Sequence, residues 1–441
     1  MIDEQELIAF VTTRRWFGSK SREVVHARLI DSAILREADP RCAIELVELG
    51  FDSGLHETYQ LLRLVDGDDP DGLANPTLAR ELVHKMRGGV TLQAGEGVLE
   101  FHPVEGFAGL GRELLRPRPI ASEQSNSSIV FDEELILKAF RRLEAGINPE
   151  LELLRFLTEH GFPNIAALGG WYAYSGKQMD ATLGVLQQFV RGEDGWELAL
   201  DELERRPQQF SGRLRRLGEV TGRMHTVLGS DPSDPNFSPE EPSVETLGLL
   251  TATVDEQIER IFLELPADNE ALDPIRGRGE EVREHLRLRT HVGSIGRVIR
   301  THGDYHLGQT LWADEDWVIL DFEGEPARGL AERRRKRSPL RDVAGMLRSF
   351  AYAASAVQLQ RGVTVPDGWE QGAREEFLAG YRETTDRTFL PSGPEAINRL
   401  LSVFELEKAV YELRYELDNR PDWVGIPVAG IIRLLEEATQ G

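Results

Sequence analysis

The sequence predicts an α+β protein of two lobes, the first rich in strands and the second made mostly of helices. Three observations carry this. Apolar and polar residues alternate, as in half-buried strands, at intervals up to about residue 190. From about residue 194 the apolar spacing becomes helical and stays so to the end. Within the helical part, one run ending at "WVILDFEGEP" reads as a strand, a glycine-punctuated loop and a hairpin.

The chain has 441 residues, which at about 150 per domain gives roughly three compact units and ample material for a buried core. Apolar residues make up 40% and charged residues 29%, mixed along the length, which excludes a disordered or fibrous chain. The net charge of −24 argues against a nucleic-acid partner, because neutralising phosphates needs a surplus of Lys and Arg. It weakly favours a cationic or neutral small substrate. The one basic cluster, "RRRKR" at 333–337, reads as a solvated loop face. A single cysteine, Cys42, excludes an intrachain disulfide and fits a reducing cytosol. No basic segment followed by an apolar run opens the sequence, and no window approaches the length of about eighteen apolar residues that a membrane span needs. A soluble, cytoplasmic protein without a membrane partner is expected.

Taken in order, residues 6–22 begin as an amphipathic helix and end in "RRWFGSKSR". The runs "CAIELVELGF" (42–51) and "HETYQLLRLV" (56–65) alternate as strands joined by "DSGL", and "GVLEFHPV" (97–104) is another. Residues 1–105 therefore form a small β-rich unit. Two strands follow, "SSIVF" (127–131) and "LILKAF" (135–140), and then a helix over "NPELELLRFLTEHGF" with Asn148 as N-cap and Pro149 in its first position. With strands at "IAALGGWYAY" and "LGVLQQFV", residues 106–190 make a compact α+β lobe. Residues 191–441 form the helical lobe, through "WELALDELERR", "GRLRRLGEVTGRMHTVL", one long segment at 252–289 and several helices from 339 onward. The Asp-, Pro- and Ser-rich stretch 229–243 is a surface loop, and no internal repeat is present.

The polar residues concentrate in "THGDYHLGQT" (301–310). In a helix, His302 and His306 would stand one turn apart in a geometry that suits zinc. The β-type residues that rise into the run, the glycines at 303 and 308, and the lack of a Cys or Glu at matching spacing make it a loop instead. After it come "QTLW", the polar turn "ADED" and "WVILDFEGEP", a hairpin. Pairing Trp312 with Trp317 puts Gln309 opposite Leu320 and Asp321 one residue along, so an amide and a carboxylate meet within the cross-strand spacing of about 5–8 Å. These are hard oxygen ligands, the kit for a magnesium ion held through few protein groups while phosphates supply the rest. Asp304 is left to orient or deprotonate a hydroxyl.

His-Gly-Asp, a Gln five residues after the Asp, and a hairpin ending in Asp-Phe-Glu resemble the catalytic loop and metal segment of the aminoglycoside-phosphotransferase-like branch of the kinase fold. Asn usually stands there where this chain has Gln309, whose arm is one carbon longer. Upstream parts fit. Lys138 lies mid-strand in "LILKAF", where a lone cation is costly unless it meets an anion. Its kinase-like role is to hold the α/β-phosphates of ATP, with Glu150 or Glu152 as partner; the alternative is a lysine snorkelling from an edge strand. The loop "EQSNSS" offers Ser125, Asn126, Ser127 and Ser128 to phosphate, and "LQQFV" (186–190), following the last strand, reads as a hinge with Gln188 and Val190 against adenine. The run "YSGKQ" is no P-loop, because Trp171 stands at the first glycine position and Gln178 replaces Ser or Thr.

Seven runs in order, "RRWFGSKSR", "SNSSIVFDEELILKAFRR", "GINPELE", "DGWELA", "HGDYHLGQ", "DFEGEPARGLAERRRKRSPLRDVAGMLRSFAYAA" and "EKAVYELRYELDNRPDW", resemble the maltokinases nearly end to end. These are ATP-dependent kinases of maltose in bacterial trehalose-to-glycogen metabolism. The resemblance implies a two-lobed protein-kinase-like fold with an N-terminal cap domain, ATP and magnesium, and transfer of the γ-phosphoryl group to the anomeric hydroxyl of maltose. It leaves open a homo-oligomer or an association with trehalose synthase.

His302 and His306 are candidate sugar contacts. In the tail, Lys408, Tyr411, Glu412 and Tyr415 recur at helical intervals, and Trp423 follows. Aromatic faces with charged neighbours suit pyranose rings; the alternative is an amphipathic helix with core tyrosines. A kinase of glucosamine or an aminoglycoside on the same fold is the rival enzyme. A pseudokinase binding module would have lost Lys138, Asp304 or Asp321, and all three are present.

Overall fold

The first third of the chain is rich in strands. The computed structural model describes residues 4–65, 67, 71–107, 109, 116–120, 126–205, 210–289, 295–326 and 328–439. They divide into two compact units, Met1–Arg191 and Gly192–Gly441.

The first unit opens with helix α1 (Glu4–Thr12), which buries Leu7, Phe10 and Val11. Strands β1 (Val24–Arg36), β2 (Cys42–Phe51) and β3 (His56–Leu64) follow as an antiparallel meander. The last two lie where the alternation puts them. Strand β1 escapes the pattern because one of its inward positions is a carboxylate. Asp31 is buried and accepts from the Tyr174 hydroxyl (2.8 Å) and from the N–H groups of Glu96 (3.0 Å) and Gly97 (2.9 Å), so its charge is satisfied inside.

Helix α2 (Pro76–Gly88) is capped by Asn75 and ends at Gly89 in the left-handed region, φ 57°. Then come β4 (Thr91–Gln93), β5 (Val98–Pro103), β6 (Pro117–Pro119), β7 (Asn126–Phe131), β8 (Leu135–Phe140), β9 (Arg142–Leu143), helix α3 (Pro149–Glu159), β10 (Leu168–Ser175) and β11 (Asp180–Gln188). Two sheets result, ordered β1-β2-β3-β9 and β4-β5-β10-β11-β8-β7-β6. Strands β4 and β5 precede residue 105 yet pair into the seven-stranded sheet. The chain from Leu135 to Leu143 runs through both sheets, leaving one for the other after Phe140.

The second unit contains β12 (Glu193–Asp194), α4 (Gly195–Arg205), α5 (Phe210–Leu228), α6 (Val244–Leu263), α7 (Gly279–Arg289), β13 (Thr310–Ala313), β14 (Asp316–Ile319), α8 (Leu330–Arg333), α9 (Leu340–Arg361), α10 (Trp369–Thr384), α11 (Pro394–Asn419) and α12 (Gly425–Thr439). The helical segment expected at 252–289 is two helices. Pro266 and Pro274 lack the N–H a continuous helix needs, and Asn269 caps a separate short turn, Glu270–Leu272. Helix α11 is central, burying Val403, Leu406, Ala409, Val410 and Leu413 against α6, α7 and α12. No helix among the described residues is long and apolar enough to cross a membrane.

Helices α5 and α10 cross with backbone nearly touching backbone. A methyl group on Gly218 would collide with the Phe377 carbonyl, and one on Gly380 with the Arg215 carbonyl. Gly218→Ala should therefore lower the melting temperature, since overpacking costs about 1–3 kcal/mol. An unchanged thermal transition in the purified variant would contradict this packing.

Candidate active site

In the first unit, the Lys138 ammonium on β8 lies 2.8 Å from Glu150 Oε2 on α3. Asn148 starts that helix by accepting the Glu150 N–H at 2.8 Å, which sets Glu150 in the first turn. Glu150 is therefore the partner found for Lys138, and Glu152 sits buried further along. Strand β8 lies between β11 and β7, so Lys138 does not snorkel from an edge.

Cross-strand register decides what the preceding strand offers. Ser128 stands opposite Lys138 and shares its face with Asn126. Ser127 points the other way and accepts from Arg141 Nε at 2.8 Å, so its hydroxyl is turned from the lysine, contrary to its expected phosphate role. Ser125 lies outside the described residues. Gln188 ends β11 exposed, its N–H donating to the Ala167 carbonyl at 2.9 Å, and Val190 follows half-buried.

In the second unit, the loop that carries Asp304 is pinned from beneath by Asp342 of α9. This buried carboxylate accepts the N–H groups of His302 (2.8 Å) and Gly303 (3.0 Å) and meets His225 Nε2 at 3.1 Å. Burial works against its charge, but His225, His302 and the Gly303 N–H outweigh it and hold the group below the usual carboxylate range. Gly303, at φ 89°, makes the turn.

His302 is 1% exposed, donates from Nε2 to the Leu320 carbonyl (2.8 Å) and accepts the Asp304 N–H at Nδ1 (3.4 Å). With one nitrogen spent on the Asp304 loop and the other on the segment after the hairpin, neither ring nitrogen is left for the expected sugar contact. His306 accepts the Gly308 N–H at Nδ1 (3.1 Å) and caps the turn Leu307–Gln309. His306, too, bonds within the loop. Its burial disfavours the imidazolium.

Asp304 Oδ1 lies 3.1 Å from Lys408 Nζ, which also reaches Glu325 Oε1 at 3.4 Å and sits over the Tyr411 ring, 5.0 Å from its centroid. Burial alone would raise the Asp304 pKa, but Lys408 and then His306 outweigh it and hold the carboxyl below the usual range. Burial likewise opposes the Lys408 charge, and Asp304 and Glu325 more than restore it, raising its pKa.

The hairpin forms in the expected register. Trp312 pairs with Trp317, and the Leu320 N–H donates to the Gln309 carbonyl at 2.9 Å. Its turn is tighter than expected, two residues, Asp314 and Glu315 at φ 48° and 62°, as two-residue hairpins require. Gln309 Nε2 donates to Asp321 Oδ2 at 3.2 Å. Half a turn of that amide would present two oxygens to one cation. Asp321 itself is held at φ 58°, a costly conformation for a non-glycine residue that recurs at functional sites. A Glu323 carboxylate oxygen lies within 4.8 Å of one from Asp321. This donor set, all hard oxygen, fits magnesium.

A cleft opens beside Asp304, with Lys408, Tyr411, Glu325, Arg341 and Glu407 in its walls. Its carboxylates are already matched by cations. Glu325 pairs with Arg328, Glu332 with Arg328 (2.5 Å) and Arg337 (2.9 Å), and Glu407 with Arg341. Sequence reasoning missed this array. Its only signal was the run of alternating acids and arginines from 323 to 341. Within "RRRKR", Arg337 and Lys336 bind Glu332 and Glu240, so part of that cluster is an internal ion-pair network rather than a solvated face.

The tail set divides. Lys408 and Tyr411 line the cleft. Glu412 is tied instead to Arg348 (2.6 Å), which is 1% exposed, and Tyr415 and Trp423 share the Arg420 guanidinium at 5.4 and 4.8 Å.

Residues 116–380 match the model of the phosphotransferase enzyme family, and residues 10–95 that of the maltokinase N-terminal cap domain. A glucosamine kinase of Streptacidiphilus jiangxiensis is 26% identical over 76% of this chain and 76% of its own length. One of Mycolicibacterium smegmatis is 24% identical over 73% of this chain and 80% of its own. Among solved structures, a glucosamine kinase superposes with a TM-score of 0.74 at 21% identity, covering 97% of this chain and 99% of that one. Another, in complex with glucosamine, ADP and inorganic phosphate, gives 0.72 at 20%, covering 97% and 98%. The structural likeness shows the fold.

The Asp304–Lys408 pair has a titration consequence. A carboxyl held low stays ionised until the pH falls through its depressed pKa, so removing the cation should move that midpoint up. Carbon NMR of the Asp304 carboxyl in Lys408→Met should show protonation at higher pH than in the parent; an unmoved midpoint contradicts the pairing.

Proposed function

The chain belongs to the phosphotransferase enzyme family, and from that premise we propose that it is an ATP- and magnesium-dependent sugar kinase that converts maltose to maltose 1-phosphate, within trehalose-to-glycogen metabolism. The observation that carries the sugar assignment is Lys408. It fills the position between Asp304 and Glu325 where a cationic substrate would otherwise be held. The neighbouring carboxylates are paired too, so the cleft offers a neutral array of donors and acceptors, suited to uncharged hydroxyls. The match to the maltokinase cap domain and the seven motifs in order support the same reading.

Phosphorylation of glucosamine is the second reading, favoured by the names of the curated relatives. At neutral pH that substrate carries an ammonium. Beside Lys408 it would meet like charge, and a buried ammonium needs an unspent carboxylate.

In the proposed mechanism Lys138, held by Glu150, binds the α/β-phosphates. Gln309 and Asp321, with Glu323 beside them, would hold magnesium, which when bound neutralises phosphate charge. Asp304 orients the anomeric hydroxyl and accepts its proton as the sugar oxygen bonds to the γ-phosphorus and the bond to the bridging oxygen of ADP breaks. A carboxyl with a depressed pKa is a weak base. That suits a loose phosphoryl transition state, where positioning contributes more than proton abstraction.

Phosphorus NMR of reactions with ATP, magnesium and either maltose, glucose or glucosamine tests the proposal. A 1-phosphate of maltose is expected, and product from glucosamine alone would overturn the sugar assignment. Asp304→Asn should keep nucleotide binding and lower turnover by about two to four orders of magnitude; near-parental turnover removes Asp304 from its role. Asp321→Asn should shift magnesium activation to higher concentration, because one full charge on the ion is lost. The same activation curve in both proteins would refute the metal assignment.

A further inference from the structure

The strand that carries Lys138 is also the strand that changes sheets. After the pair Ala139–Gly184 it leaves β11, and Arg141–Leu143 join β3. Such a departure strands the carbonyls of Phe140 and Leu183, which are out of reach of water. Gln60, on β3 and 0% exposed, answers both. Its Nε2 donates to Phe140 O (2.9 Å) and Leu183 O (2.8 Å), while its Oε1 accepts the Tyr172 hydroxyl (2.9 Å). One amide from the four-stranded sheet thus ties β8, β11 and β10 of the other.

A second tie lies next to it. Arg141, 1% exposed, donates to both carboxylate oxygens of Asp71 (3.0 and 2.7 Å) and to Ser127 Oγ on β7 (2.8 Å), and its guanidinium stacks on Trp16. Ser127 pairs with Ala139, the neighbour of Lys138. The ties therefore fix the lysine strand on its downstream side and its neighbour β7 on one face.

We infer that Gln60 and Asp71, residues of the segment that matches a cap domain, are positioning residues for the nucleotide site: they set the strand pair β7–β8 and thereby the Lys138 ammonium. The inference rests on the reading of Lys138 as a phosphate ligand. It gives the four-stranded sheet a part in phosphate binding without contact to the nucleotide.

Binding and activity separate this from a merely structural role, because a variant that only unfolds more easily loses active molecules but not affinity in those that stay folded. Gln60→Leu removes both N–H donors at similar volume, and Asp71→Asn keeps the shape while removing the negative charge that faces Arg141. Each full-length variant is titrated by calorimetry with a non-hydrolysable ATP analogue and magnesium, with binding stoichiometry reporting the folded fraction. The expected result is a dissociation constant raised on the order of tenfold, the effect of misplacing one charged contact, at unchanged stoichiometry and with a raised KM for ATP. Parental affinity in either folded variant overturns the inference, and if Gln60→Leu does not fold, Asp71→Asn decides alone. A parent protein that fails to bind the analogue refutes the nucleotide reading itself, and the inference falls with it.

Discussion

One half-buried cation organises the cleft of the second unit. Lys408 cannot lie among side chains without an anion, and it has two, Asp304 and Glu325, separated from it by 104 and 83 residues. The Asp304 loop, the segment after the hairpin and helix α11 must therefore converge on one point. That convergence keeps Asp304 ionised and makes it a poor base. It also removes negative charge from the floor of the cleft. The proposed acceptor orientation and the proposed preference for a neutral acceptor both rest on this ion pair.

The loop itself is held by Asp342, whose three acceptor contacts leave His302 and Gly303 little freedom. His302 completes the arrangement from the other side through Leu320, the residue before Asp321. The Asp304 loop and the segment that follows the hairpin are thus fixed to each other by one imidazole. In the first unit the same logic operates with an amide: Gln60 satisfies the carbonyls left open where the lysine strand changes sheets.

Local patterns were legible where one face of an element decides its composition. Strands β2 and β8, the Asn148 cap and the Trp312–Trp317 register follow from alternation, capping chemistry and turn length alone. Strand β1 was hidden by Asp31, a charge at an inward position that Tyr174, two distant N–H groups and the adjacent Ser32 N–H make tolerable. The long helix failed at Pro266 and Pro274, where helical periodicity on both sides masked the break. Lys138 and Asp304 stood out because a cation in a strand and an acid in a glycine loop need explaining. Ser127 did not, since which face a strand residue takes depends on the register of its neighbour. Glu412 and Arg348, or Arg341 and Glu407, become partners only when α9 packs against α11, and no local pattern reports that. The tail helix showed the right residue types for a sugar, but tertiary packing assigned only Lys408 and Tyr411 to the cleft.

The proposed function makes Lys408 the reason that the acceptor site suits uncharged sugars. It is tested most directly by the ratio of kcat/KM for maltose to that for glucosamine, measured in the parent and in Lys408→Met. A ratio well above one in the parent that falls in the variant, as repulsion of the ammonium is lifted, is the predicted result. A parent ratio below one, or a ratio that the substitution leaves unchanged, would contradict the account.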